Sequence, residues 1–170
     1  MKFSMLLATL GTRELELEKL FDSLREQTYK NFELIVVSQG NHEKIDNMLK
    51  NYEFEYKHIP MEGRGISIAR NKGFPYVSGD ILAFADDDGW YDKKALEIVK
   101  DSFEKYDADI LSFKHIDPIK NEYTKLYPEK EIINMSKRAT LKQMSLDIYI
   151  NINRVVDYKD GFDERFGVGA

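Results

Sequence analysis

Three consecutive aspartates, Asp86, Asp87 and Asp88, are the residues whose type and spacing most directly suggest chemistry. They follow an apolar run at residues 81–85. Three like charges this close repel one another unless water or a cation offsets them, and hard divalent cations prefer carboxylate oxygens. The same acids could form a solvated turn before a helix, where acidic residues are common. Their spacing alone leaves a metal site and an acidic helix start equally open.

The acids follow the fourth of five segments that have the pattern of strands. These predicted strands are residues 3–10, 32–38, 53–59, 80–85 and 109–113. Helical patterns of apolar residues separate them, at residues 17–24, 42–51 and 66–72 and along the stripe Leu96, Val99, Phe103 and Tyr106. Alternation of strand and helix with short connections predicts an α/β fold, in which helices cover both faces of a parallel sheet.

Ligands of open parallel sheets bind outside the carboxyl ends of the strands, which is where this pattern puts the three acids. From about residue 115 to 145 the alternation gives way to polar residues, with only a weak helical pattern near 136–144. The sequence therefore predicts a binding edge built largely before residue 115.

Length and composition are those of one globular domain. The chain has 170 residues, 42% of them hydrophobic, enough to bury a core without disulfides. A net charge of −5 argues against a nucleic-acid binder, which needs a basic surface. The absence of cysteine excludes thiolate zinc sites and a cysteine nucleophile. The apolar start, MKFSMLLATLG, lacks a small-x-small cleavage site and is interpreted as a first strand. No segment approaches the roughly 18 apolar residues that span a bilayer.

Separated segments of the chain resemble family-2 glycosyltransferases with the GT-A fold. Residues 3–41 contain a strand, a helix, the sequence QTYKNFE and a second strand that ends in a polar cluster. Residues 63–91, GRGISIARNKGFPYVSGDILAFADDDGWY, resemble the family's central block, in which an ARN-x-G helix leads to a strand and an acidic metal-binding motif. Residues 161–170, GFDERFGVGA, resemble the loop before the family's acceptor-side acid.

This resemblance implies a single GT-A-like domain over residues 1–170, a three-layer α/β/α fold with a mostly parallel central sheet. Residues 1–113 would form a nucleotide-binding βα core, and residues 114–170 would begin the acceptor-side region. The implied reaction is inverting transfer of a hexosyl or deoxyhexosyl group from a nucleotide diphosphate to an acceptor hydroxyl. Mg²⁺ or Mn²⁺ would neutralise the diphosphate leaving group.

The resemblance also implies roles for individual residues. Asp88 matches the acid that the family places on the metal, whereas Asp87, together with Asp86, matches the acid that faces the ribose. Because the acids are consecutive, this assignment can move by one residue. Thr9 ends the first strand, where the family contacts the nucleotide. Arg70 matches the family's nucleotide-side arginine, with a surface ion pair as the alternative.

The expected base contact departs from the family's pattern. Ser38 and Gln39 stand where the family commonly has an aspartate that accepts a hydrogen bond from the imide N–H of uracil or thymine. The side-chain carbonyl of Gln39 can accept the same bond without a charge. We therefore predict a UDP- or dTDP-sugar donor, with Gln39 on the base.

By motif, no residue before Ala170 matches the family's general base, which we expect further along. Asp163 and Glu164 are the nearest acids and match structural positions. The chain is accordingly interpreted as the donor-binding part of a longer transferase or as a non-catalytic donor-binding fragment. The family's glycan or lipid-linked acceptors imply polysaccharide or glycoconjugate synthesis in the cytoplasm, at the inner face of the membrane.

Two rival functions rest on shorter similarities. LGTR at residues 10–13 resembles the end of a sugar-nucleotide pyrophosphorylase signature, but Thr9 replaces a required glycine. AFADDDG resembles the D-x-D-G loop of aspartate-nucleophile phosphatases, but Trp90 replaces the usual Thr or Val. We expect Trp90 to be a core anchor, and each of the three histidines to lie at the surface or to have a hydrogen-bond partner: His42, His58 and His115.

Overall fold

The computed structural model describes residues 1–117, 120–140, 143–155 and 160–169. Its strands are β1 (Phe3–Thr9), β2 (Phe32–Ser38), β3 (Glu55–Pro60), β4 (Ile81–Ala85), β5 (Ile110–Ser112), β6 (Ile116–Asp117), β7 (Glu122–Tyr123) and β8 (Ile148–Asn151). Its α-helices are α1 (Glu14–Arg25), α2 (His42–Leu49), α3 (Ile66–Gly73), α4 (Ala95–Tyr106) and α5 (Lys137–Thr140), with 3-10 helices at Phe74–Tyr76 and Ser145–Asp147.

Six strands form one sheet in the order β3-β2-β1-β4-β8-β5. The pairs β1–β2, β1–β4 and β2–β3 are parallel, whereas β8 is antiparallel to β4 and β5. The carboxyl ends of β1, β2, β3 and β4 therefore share one edge, which we call the carboxyl edge. The predicted mostly parallel sheet is confirmed. Strands β6 and β7 form a separate antiparallel pair.

Side chains of the central strands alternate between two buried layers, because successive strand residues point to opposite faces of a sheet. In β1, Met5 and Leu7 pack in the layer that contains the buried residues of α1, α2 and α4, whereas Leu6 packs in the layer that contains Ala69 of α3. Helix α1 buries the predicted stripe of Leu17, Leu20, Phe21 and Leu24. Helices on both faces of the sheet confirm the three-layer α/β/α prediction.

Strand β8 was not predicted from the sequence. It lies between β4 and β5, and Tyr149 aligns with both Ala83 and Leu111. An apolar run of three residues is too short to identify a strand by its pattern, so this element depends on pairing with strands formed much earlier in the chain. The helix predicted near 136–144 is shorter than expected, at Lys137–Thr140, and residues 141–142 lie outside the described part of the chain.

The apolar start of the chain forms β1, in the interior of the sheet, as predicted. Within the described ranges, none of the helices is both long enough and apolar enough to cross a membrane.

Candidate functional site

The three acids lie at the carboxyl edge, immediately after β4. The neighbouring strand β1 ends at Thr9, whose Oγ1 donates a hydrogen bond of 2.6 Å to Oδ2 of Asp87. Oγ1 of Thr9 also accepts a hydrogen bond from the backbone N–H of Gly11, at 3.0 Å. Because Thr9 is only 2% exposed, its hydroxyl is a fixed point that orients Asp87.

Arg13, the residue before α1, contacts two of the three carboxylates. Its Nη1 lies 3.0 Å from Oδ1 of Asp87 and 2.5 Å from Oδ2 of Asp88. These carboxylates raise the pKa of Arg13, Asp87 having the larger effect. A cationic group therefore bridges Asp87 and Asp88 in this structure.

The first acid has a different partner. Nη2 of Arg70 lies 3.4 Å from Oδ1 of Asp86 and donates a 2.9 Å hydrogen bond to Oγ of Ser145. The guanidinium carbon of Arg70 is 4.7 Å from the ring centroid of Phe84 and 5.5 Å from that of Phe162. Arg70 is 7% exposed, so the surface ion pair considered as an alternative for this residue does not describe it.

Burial shapes the electrostatics of this second pair. It lowers the pKa of Arg70 and raises the pKa of Asp86, because both charged forms lose contact with water. The Nε of Arg70 is buried and has no hydrogen-bond partner among the described residues. The aromatic faces of Phe84 and Phe162 supply part of the interaction that water would give a guanidinium.

Gln39 joins the end of β2 to the start of α3. Its side-chain Oε1 accepts a 2.7 Å hydrogen bond from the backbone N–H of Gly65, and its own backbone N–H donates to the carbonyl of Thr9 at 2.8 Å. A carbonyl oxygen has two lone pairs, so one remains for a ligand. The structure thus gives Gln39 a positioning contact that the sequence did not indicate.

Ser38, the last residue of β2, has its hydroxyl between two imidazole rings. Its Oγ is 2.6 Å from Nδ1 of His42 and 2.8 Å from Nε2 of His58. Burial lowers the pKa of His58, which favours the neutral ring. Nδ1 of His115 pairs with Asp147 at 2.6 Å, so all three histidines have hydrogen-bond partners, as predicted.

The last described segment packs on α3. Asn71 donates to the carbonyl of Phe162 at 2.8 Å and accepts from its N–H at 2.7 Å, and it also donates to Oε1 of Glu164 at 3.1 Å. Asp163 pairs with Arg165 at 2.6 Å. Asp163 and Glu164 thus have polar partners in Arg165 and Asn71, away from the acid cluster of Asp86, Asp87 and Asp88.

Metal binding can be tested against this geometry. Among the described residues, no group of three or more His, Cys, Asp or Glu side chains is placed to hold a metal ion by itself. Mg²⁺, however, is commonly held by only one or two carboxylates and completed by water and substrate phosphates. The Asp88 carboxylate, which contacts the cationic Arg13 in this structure, fits a divalent ion that water and a diphosphate complete.

The sequence analysis missed a buried carboxylate in the 3-10 helix whose first residue, Ser145, binds Arg70. Asp147 is 1% exposed and lies two residues beyond Ser145. The Asp147 carboxylate contacts Nζ of Lys125, the hydroxyl of Tyr127 at 3.1 Å, Nδ1 of His115 at 2.6 Å and the N–H of Met144 at 3.0 Å. No motif marks this residue, because its partners come from three separate stretches of the chain.

The prediction that Trp90 is a core anchor was wrong. Its side chain is 42% exposed, and Nζ of Lys19 lies 5.3 Å from its ring centroid. The core residues that follow the acids are instead Leu96 and Val99 of α4, which are buried.

Comparison with known proteins gives one consistent result. Residues 8–160 match the sequence model of the family described as Glycosyl transferase family 2. Glycosyltransferase GlyA of Streptococcus pneumoniae is 35% identical over 97 residues, which make up 55% of this chain and 14% of that protein.

Solved structures share the fold. S. aureus TarS in complex with UDP matches 99% of this chain and 52% of its own, with a TM-score of 0.76 and 21% identity. Mannosyltransferase PcManGT from Pyrobaculum calidifontis, in complex with GDP-Man and Mn²⁺, matches 99% of this chain and 49% of its own, with a TM-score of 0.71 and 13% identity. The chain therefore has the GT-A fold, and it spans about half the length of these two structures.

Proposed function

The chain belongs to glycosyl transferase family 2, and on that premise we propose that it binds a nucleotide-diphosphate sugar and takes part in transferring the sugar to an acceptor hydroxyl with inversion. The observation that carries this proposal is the acid cluster at the carboxyl edge, where Asp87 and Asp88 share one cationic partner. The family assignment also favours this function over the pyrophosphorylase and phosphatase alternatives.

Asp88 would hold Mg²⁺ or Mn²⁺, which neutralises the charge that develops on the diphosphate as the glycosidic bond opens. Asp87, oriented by Thr9, would face the ribose together with Asp86. Arg70 would hold the Asp86 carboxylate in place on the nucleotide side of the site, since the Arg70 guanidinium is itself held between the rings of Phe84 and Phe162. The Mn²⁺ bound to PcManGT supports a divalent ion in this fold.

We propose a UDP- or dTDP-sugar as the donor, carrying a hexose or deoxyhexose. The UDP bound to TarS supports uridine, whereas the GDP-Man bound to PcManGT shows that the fold also accepts guanosine. Gln39 would contact the base through the remaining lone pair of Oε1, because the other is occupied by the N–H of Gly65.

Residues 1–113 would supply the donor site, and residues 114–170 would begin the acceptor side. We propose that the general base lies beyond Ala170, because Asp163 and Glu164 are engaged with Arg165 and Asn71. The acceptor would be a glycan or lipid-linked sugar in polysaccharide or glycoconjugate synthesis, reached in the cytoplasm at the inner membrane face. A donor-binding role without catalysis by this chain alone is the second candidate.

The direct test is calorimetry with UDP, dTDP and GDP, each with and without Mn²⁺. Replacing Asp88 by Asn removes a charge with little change in volume, so the metal-dependent part of the binding free energy should weaken by about 1–3 kcal/mol. Asp101→Asn is the matched control, since Asp101 is an exposed acid of α4 whose one ion pair within the described residues is with Lys100. Metal-dependent binding that survives unchanged in Asp88→Asn would refute the assignment of Asp88.

A further inference from the structure

Arg13 contacts the Asp88 carboxylate, which the proposed function assigns to a metal ion. Its Nη1 is 2.5 Å from Oδ2 of Asp88, the carboxylate proposed to hold Mg²⁺ or Mn²⁺. A carboxylate that binds a divalent ion holds a guanidinium less strongly, because it shares its negative charge between two cations that repel each other. Binding of a metal ion at Asp88 should therefore weaken the Arg13–Asp88 contact and favour another anionic partner for Arg13.

The two halves of the Arg13 bridge differ in how firmly they are held. The Asp87 side chain is 17% exposed and is fixed by the hydroxyl of Thr9. The Asp88 side chain is 53% exposed, so water can replace the guanidinium there at little cost. Arg13 can keep its sheltered contact with Asp87 while it releases Asp88.

We infer that Arg13 is a diphosphate-binding residue that exchanges Asp88 for a phosphate oxygen of the donor. The inference rests on the proposed function, in which a metal ion on Asp88 brings the diphosphate to this point. A diphosphate presents negatively charged oxygens beside the guanidinium as it loses the Asp88 carboxylate. Arginine suits the exchange because its planar set of N–H donors can bind a carboxylate and a phosphate at once.

The exchange predicts that one variant, Arg13→Gln, binds Mn²⁺ more tightly and UDP more weakly than wild type. Without nucleotide, Arg13→Gln removes a cation that competes for Asp88, so Mn²⁺ alone should bind roughly threefold more tightly. With Mn²⁺ at saturation, the same variant lacks a ligand for the diphosphate, so UDP should bind about tenfold more weakly. Binding of UMP, which has no β-phosphate, should change much less.

The experiment measures Mn²⁺ binding by electron paramagnetic resonance and nucleotide binding by calorimetry. Arg13→Lys is the second variant: it keeps the charge but lacks the planar set of N–H donors, so its affinity for UDP should fall between those of wild type and Arg13→Gln. Arg25→Gln is the matched control, because Arg25 is an exposed arginine at the far end of α1, where it pairs with Asp22 at 3.0 Å and lies over the ring of Tyr52.

The outcomes separate this inference from the proposed function. Tighter Mn²⁺ binding together with tighter UDP binding would make Arg13 a competitor only and overturn the exchange. Unchanged binding of both ligands would also overturn it, while leaving the proposed function intact. If wild type binds neither UDP, dTDP nor GDP in the presence of Mn²⁺, the proposed function fails and the inference fails with it.

Discussion

Two arginine–aspartate contacts lie side by side at the carboxyl edge, and they differ in almost every physical respect. The outer contact joins Arg13 to Asp87 and Asp88, and its arginine side chain is 51% exposed. The inner contact joins Arg70 to Asp86, and its arginine side chain is 8% exposed. The outer distances are shorter, yet the inner arginine is far more extensively packed.

Distance alone therefore does not rank the contributions of these ion pairs to stability. In the outer contact water screens both partners, so the pair contributes little stability and can exchange partners. In the inner contact, burial has removed water from Arg70, and loss of one charge leaves the other without compensation. The inner contact is therefore suited to holding the site in place, and the outer one to meeting a ligand.

The largest expected effect comes from breaking the inner contact. Arg70→Met keeps the length of the side chain but removes its charge, so Asp86 and Ser145 each lose their partner. We expect a loss of about 3 kcal/mol in the free energy of unfolding, measured in urea, at the low end of the scale for removing one member of a buried pair because the Asp86 side chain is 32% exposed.

The double variant Arg70→Met with Asp86→Asn is the control for this measurement. Removing both charges should recover about half of the loss, because no isolated carboxylate then remains. A single Arg70→Met variant as stable as wild type would contradict the distinction between the two contacts.

A second prediction concerns the stability contributed by Asp147, a buried acid two residues beyond the Ser145 that binds Arg70. Burial by itself would raise the pKa of Asp147, but hydrogen bonds from Lys125, Met144 and His115 outweigh it and the pKa is lowered. An acid with a lowered pKa stabilises the fold above its unfolded pKa, near 4, and this contribution is lost as the pH falls through its folded pKa.

Asp147→Asn should therefore cost about 2 kcal/mol of unfolding free energy at pH 7. The difference from wild type should shrink as the pH falls from about 4 through the lowered folded pKa, because the unfolded carboxyl is protonated first and the folded one only at lower pH. Urea unfolding at a series of pH values measures it, with Asp101→Asn as the exposed control. A difference that stays constant down to pH 2 would show that charge is not the cause.

The sequence predicted the parts of this edge that depend on local pattern. The apolar runs of β1, β2 and β4 and the helical stripe of α1 are set by neighbouring residues, so Thr9 and the three acids could be placed at one edge of a sheet. Arg13 could have been found by the same reasoning, as a cation that follows β1 at that edge. Its contact with two specific oxygens could not, because side-chain geometry depends on the tertiary structure.

The inner contact was less predictable for a clear reason. Ser145 reaches Arg70 because β8 inserts between β4 and β5, and this insertion leaves almost no trace in the hydrophobic pattern. Phe162, whose ring contacts Arg70, lies 92 residues further along the chain. Two hydrogen bonds between Asn71 and the backbone of Phe162 hold it there. Long-range packing of this kind is visible only in the folded chain.

The smallest expected effect concerns the outer contact and completes the comparison. Arg13→Gln should lower the unfolding free energy by less than about 0.5 kcal/mol, because exposed pairs contribute little. The small loss should come from repulsion between Asp87 and Asp88, which salt screens over about 3 Å at 1 M ionic strength. Urea unfolding in low salt and in 1 M salt should therefore show a difference from wild type only in low salt. A loss of more than about 1.5 kcal/mol that persists in 1 M salt would mean that the outer contact is as structural as the inner one, and Arg13 would then be too firmly held to exchange its partner for a ligand.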